Sequence, residues 1–158
     1  MAPVAVVHLG LRRRAPEVPD GFGFLAPRGE GVRSLGVLFP SRLFDGRTPE
    51  GGDLFTGFVG GTLDPAALDL DDAALLEIVR SDLSRLVRRE VSPDFVRVAR
   101  FPEAIPQCTL GHLDRLAGIR ERLACLRGLV LAGNYLRGVG MKDAVGSGLD
   151  AAETVDGR

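Results

Sequence analysis

The chain has 158 residues, about one domain's worth and enough to bury a single compact core. Its 20 basic residues, among which Lys142 is the only lysine, stand against 21 acidic ones, so the net charge of -1 supplies neither a nucleic-acid-binding field nor a polybasic membrane patch. No apolar run approaches the roughly eighteen residues of a membrane-spanning helix, and the first apolar stretch is followed rather than preceded by its arginines, unlike a signal peptide.

In chain order, Pro3 to Leu11 (PVAVVHLGL) is Val-rich and reads as a buried strand ended by the Arg12 to Arg14 cluster. Three shorter strands are expected at Gly21 to Pro27 (GFGFLAP), Ser34 to Phe39 (SLGVLF) and Asp53 to Gly61 (DLFTGFVGG), together suggesting an antiparallel meander. Their glycines alternate with large apolar residues, which leaves flat sheet faces that another body can approach.

Asp69 to Glu90 switches to helical spacing, with Leu75, Leu76, Val79, Leu83, Leu86 and Val87 on one face, aspartates at the start and arginines at the end. A strand from Asp94 to Phe101 precedes a proline-bracketed loop, PEAIPQ, and a second helix from Gly111 to Cys125. Gly128 to Ala132 (GLVLA) reads as a short buried strand. The glycine-rich GNYLRGVG and a small-residue helix from about Met141 to Val155 follow. The fold class expected is α+β: a mostly antiparallel sheet with two or three helices.

Cys108 and Cys125 are too far apart for a CxxC motif and too few for a disulfide framework, which points to a reducing, cytoplasmic setting, with contact at a membrane surface left open. No His/Cys cluster has metal-ligand spacing, so no metal is expected. His8 lies in an apolar strand and His112 at a helix start, and both read as structural. The informative stretch is Leu131 to Glu153, where three glycines lead into a helix with small early residues. Free amides there favour a partner carrying negative charge, such as the N1/C2=O edge of a reduced flavin.

Six segments, PVAVVHLGL, GFGFLAPRGEG, SLGVLFPSRLFDGRTPEGG, FTGFVGG, VRVARFPEAIPQCTLGHLDRL and LAGNYLRGVGMKDAVGSG, occur in this order. Together they resemble the C-terminal part of protoporphyrinogen and coproporphyrinogen oxidases, FAD enzymes of haem synthesis within the flavin amine oxidase superfamily. The resemblance implies that Val139, Gly140 and Met141 approach the flavin ring, with Phe101 where the family usually has a Trp. It also implies that Phe22, Gly23, Leu25, Leu38 and Phe58 line the substrate pocket. Cys108 replaces the family's usual Tyr. No residue is assigned an acid, base or nucleophilic role.

The implied chemistry is hydride transfer from a porphyrinogen to FAD, with O2 or another acceptor reoxidising the cofactor. The G-x-G-x-x-G turn that holds FAD pyrophosphate is not in the sequence, because Gly57, Gly60 and Gly61 lead into Thr-Leu-Asp-Pro rather than a helix. Residues 1–127 are therefore expected to form part of a substrate-binding domain and 128–158 a C-terminal flavin-domain segment. The chain would correspond to about the last third of such an enzyme, either a truncated product or one half of a split enzyme that needs a separate N-terminal FAD-binding chain, and is not expected to turn over alone. Two other readings stay open: a non-catalytic tetrapyrrole- or protein-binding module using Phe22, Phe24, Phe55 and Phe58, and a piece of another flavin amine oxidase such as a carotenoid desaturase.

Overall fold

The computed structural model describes residues 1–27 and 29–157; Arg28, inside the GFGFLAPRGEG segment, and Arg158 lie outside them. The described chain forms two compact units, one from Ala2 to Ala104 and one from Ile105 onward.

The first unit is built on a five-stranded sheet. Its strands are β1 (Ala2–Leu11), β2 (Gly23–Leu25), β3 (Gly36–Leu38), β4 (Asp53–Gly60) and β5 (Phe95–Ile105), in the order β2-β3-β4-β1-β5. The pairs β2/β3, β3/β4 and β1/β4 are all antiparallel. The expected meander is present as β2-β3-β4, and β1 continues the sheet beside β4. β2 and β3 are shorter than expected at three residues each. β5 runs four residues past Phe101, through Pro102, where a loop was expected; as a sheet-edge strand it tolerates a residue that cannot donate to a ladder.

One face of this sheet carries the core. Ala5, Val7 and Leu9 of β1, Phe55 and Val59 of β4, and Val37 of β3 are buried there, as the period of two requires. The helix α2 (Asp72–Val87) closes this face with Leu75, Val79, Leu83 and Val87, the stripe its spacing predicts. Its start is capped by the Asp71 carboxylate, which accepts from the Ala74 N–H at 2.7 Å. A short helix, α1 (Pro40–Leu43), and a 3-10 turn at Pro65–Asp69 complete the unit.

Phe39 lies edge-on to Phe55 with ring centroids 5.5 Å apart. Phe24 packs against this core from β2. Phe55 and Phe24 thus face inward, while Phe58, three residues on from Phe55, faces the other side. The four phenylalanines named for a binding module do not share a face, because residues at odd spacing along a strand point to opposite sides.

The second unit contains α3 (His112–Ala124) and α4 (Met141–Asp156). The expected strand at Gly128 to Ala132 does not form: this stretch has no ladder partner among the described residues, and Leu129 and Leu131 are exposed. A strand is defined by a neighbour's N–H and C=O groups, and apolar composition alone does not supply them.

Candidate functional site

The sheet face turned away from α2 is open. Register places Val6, Phe58, Gly36 and Leu25 in one row across β1, β4, β3 and β2, and His8, Thr56, Leu38 and Gly23 in the next. The first row is apolar and interrupted only by Gly36, whereas the second joins the polar His8 and Thr56 to Leu38 and Gly23 across a surface four strands wide. A Cβ on Gly36 would lie 2.4 Å from the Phe24 carbonyl oxygen and one on Gly23 2.2 Å from that of Val37, so glycine is what lets β2 and β3 approach at these points.

Of the residues implied to line a substrate pocket, Gly23, Leu25, Leu38 and Phe58 are brought together on this face. Leu25 is 84% exposed, and Leu38 and Phe58 are half-buried. Phe22 stands just before β2, 65% exposed, where its carbonyl accepts from the Phe39 N–H at 2.9 Å. Val6 joins the same row as Phe58, and the alternation of β1 was the signal that would have named it.

His8 shares a hydrogen bond with Thr56 Oγ1 at 3.0 Å. Burial, and then the nearby Arg97 guanidinium, push the His8 imidazole below its usual range, so it is neutral at pH 7. Phe101, from β5, is 49% exposed.

In the second unit the turn from Gly133 to Gly140 is held at several points. His112 Nε2–H donates to the Tyr135 carbonyl at 2.8 Å, and the Gly133 N–H donates to the buried Ser147 hydroxyl at 3.0 Å. Arg137 pairs with Asp150 of α4. The Asp143 carboxylate accepts from the Gly140 N–H at 3.1 Å, the cap expected of an acid three residues after a helix start.

Val139 is 47% and Met141 85% exposed, and the N–H groups of Met141, Lys142 and Asp143 have no acceptor among the described residues. A Cβ on Gly138 or Gly140 would lie 2.6 or 2.9 Å from Asp143 Oδ2. The glycines thus make room for the chain's own capping carboxylate, while the outer surface of the turn stays open. Exposed apolar contacts beside free amide donors suit one edge of a flavin ring; the Asp143 charge lies at the same helix end and weakens its pull on an anion. Met141, Val145 and Leu149 continue the exposed apolar surface along α4.

Residues 1–156 match the family described as flavin containing amine oxidoreductase. The chain belongs to this family. Among curated members it is 38% identical over 166 residues to protoporphyrinogen oxidase 1, chloroplastic, of Spinacia oleracea, covering 98% of this chain and 30% of that protein. It is 37% identical over 141 residues to the chloroplastic protoporphyrinogen oxidase of Nicotiana tabacum (87% of this chain, 26% of that one). It is 29% identical over 147 residues to coproporphyrinogen III oxidase of Bacillus subtilis (strain 168), covering 92% and 31%.

A solved structure from Exiguobacterium sp. 255-15, provisionally named a protoporphyrinogen oxidase, superposes with a TM-score of 0.82 at 26% identity, over 98% of this chain and 34% of that one. Reduced UDP-galactopyranose mutase shares the fold, with a TM-score of 0.78 at 15% identity. The chain spans about a third or less of the length of each of these proteins. No helix among the described residues is long and apolar enough to cross a membrane, and none of their His, Cys, Asp and Glu side chains cluster as a metal site.

Proposed function

We propose that this chain supplies the apolar wall of a porphyrinogen site and one side of an FAD site in an oxidase acting on protoporphyrinogen IX or coproporphyrinogen III. The observation that carries the reading is the sheet face turned away from α2: Leu25, Leu38 and Phe58, spaced by Gly23 and Gly36, offer an apolar surface of the kind a tetrapyrrole ring needs. The names of the protoporphyrinogen and coproporphyrinogen oxidase relatives support the substrate class.

On this reading residues 1–127 belong to a substrate-binding domain and 128–158 to a flavin-domain segment. Phe22, Gly23, Leu25, Leu38 and Phe58 would contact substrate. Val139, Gly140, Met141 and Phe101 would contact the isoalloxazine. FAD, when bound, supplies the hydride acceptor, with O2 or another acceptor as the terminal oxidant. The residues here bind, orient and exclude water: the Met141 to Asp143 amides offer donors to the flavin edge, and Met141 and Val139 keep that edge dry. His8 and His112 hold neighbouring groups in place and take no proton from substrate. The strand-GxGxxG-helix that would hold the FAD pyrophosphate is not among these 158 residues, and without such a part no turnover is expected. The exposed, unpaired thiols of Cys108 and Cys125 support a reducing, cytoplasmic setting.

The test is to mix the chain with a polypeptide carrying the GxGxxG region of a relative, add FAD and protoporphyrinogen IX, and follow flavin and porphyrin fluorescence. Quenching of flavin and growth of porphyrin emission in the mixture alone are expected. A mixture that binds FAD yet forms porphyrin no faster than buffer overturns the reading; porphyrin binding by the chain under the same conditions would then favour a non-catalytic tetrapyrrole-binding module.

A further inference from the structure

A cavity of about 680 Å³ opens on the first unit beside the His8 row, lined by His8 and Gly10 of β1, Arg12 just after it, Asp53 and Leu54 of β4, Asp94, Phe95 and Arg97 at the start of β5, and the Arg47 to Pro49 loop. Its floor is apolar. Leu54 lies opposite Gly10 in the sheet, and a Cβ on Gly10 would lie 3.2 Å from Phe95 Cβ, so the glycine lets the Phe95 side chain pack down over the β1/β5 pair and form part of this floor.

The charges around this floor do not balance. Asp53 is buried and consumed by Arg42, the Ser41 hydroxyl and the Ala15 N–H. Asp94 accepts from the Arg12 N–H at 2.8 Å and pairs with the Arg12 side chain. Arg47 stacks its guanidinium over Phe44 at 5.4 Å and has no carboxylate partner among the described residues; nor does Arg97. Arg97 lines the cavity together with His8, whose protonation it disfavours after burial has done so first.

We propose that this cavity is a carboxylate-binding subsite, in which Arg47 and Arg97 hold an acid group whose apolar body rests on Leu54 and Phe95. The apolar floor selects against a bare inorganic anion, and the forked guanidinium geometry suits a carboxylate. That the acid is a side arm of a tetrapyrrole lying on the adjoining Phe58 and Leu38 surface rests on the proposed porphyrinogen function; the anion chemistry of the cavity does not.

Three probes separate the two ideas on the full chain: deuteroporphyrin IX, its dimethyl ester, and 1-pyrenebutyrate, each titrated optically in dilute non-ionic detergent. The expected result is that deuteroporphyrin binds at least tenfold more tightly than its ester, and that Arg97→Gln and Arg47→Gln each weaken the diacid about tenfold, roughly 1.4 kcal/mol, without changing ester binding. Circular dichroism of both exposed-site variants checks that they fold.

If diacid and ester bind alike and neither substitution matters, the subsite is overturned while the tetrapyrrole reading stands. If neither porphyrin binds but pyrenebutyrate does, with loss in both variants, the subsite stands and the porphyrinogen reading fails. If no probe responds to either substitution, the subsite is wrong.

Discussion

Gly57 of β4 sits directly beneath Val79 of α2: a Cβ at Gly57 would lie 2.3 Å from Val79 Cγ1 and 2.6 Å from Cγ2. The helix therefore rests on bare backbone at the centre of the sheet, and this contact fixes which face is core and which is left open. Gly57→Ala should cost about 1–3 kcal/mol by overpacking, seen as a lower urea midpoint. Val79→Ala in the same background should recover part of that loss, and an unchanged midpoint for Gly57→Ala would mean α2 does not seat there.

Arg42 and Asp53 form a buried pair, with Nη2 to Oδ2 at 2.7 Å and side-chain exposures of 4% and 1%. Burial alone would lower the Arg42 guanidinium, but the Asp53 and Asp20 carboxylates outweigh it and hold the charge. Because Asp53 also accepts from Ala15 N–H and Ser41 Oγ, its removal strands several donors at once. Asp53→Ala should destabilise by about 3–5 kcal/mol, measured by denaturant unfolding.

The pH dependence of His8 has a defined sign. Its folded-state value lies below the unfolded value of 6.5 because of burial first and Arg97 second, so the unfolded chain takes up a proton more readily. Stability is unaffected by His8 above that pH and falls as pH drops through 6.5. The His8 imidazole resonance should titrate below 6.5, and Arg97→Gln should move it upward.

Ser147 is buried in α4, and its hydroxyl accepts from the Gly133 N–H at 3.0 Å, tying the glycine turn to the helix. Ser147→Ala leaves that amide unpaired at a cost of about 1–3 kcal/mol. Hydrogen exchange at Gly133 should quicken in the variant far more than exchange in α2.

Much of this was legible in the residues. The periods of β1, β4 and α2 gave elements within a few residues of their places, because each buries one face in one core and the pattern repeats long enough to read. The Gly128 to Ala132 strand failed because a short apolar run says nothing about whether a neighbouring strand is present. The stretch after Phe101 failed in the other direction, since Pro102 breaks a central strand but not an edge one. Four of the five implied substrate residues fell on one face by simple parity, whereas the Arg47 and Arg97 cavity joins a loop to an edge strand and has no local signature. The Asp143 cap went unread although an acid three residues after the helix-start glycine was its signal, and that its carboxylate would fill the space beside Gly138 is a matter of side-chain placement.

The central claim is that the sheet face opposite α2 receives a flat apolar ligand. Backbone amide shifts of the isotopically labelled chain, recorded while deuteroporphyrin IX is added, test it residue by residue. The account predicts the largest changes at Val6, Leu25, Leu38 and Phe58 and little at Leu75, Val79 or Leu83; changes centred on α2, or none at saturating ligand, would contradict it.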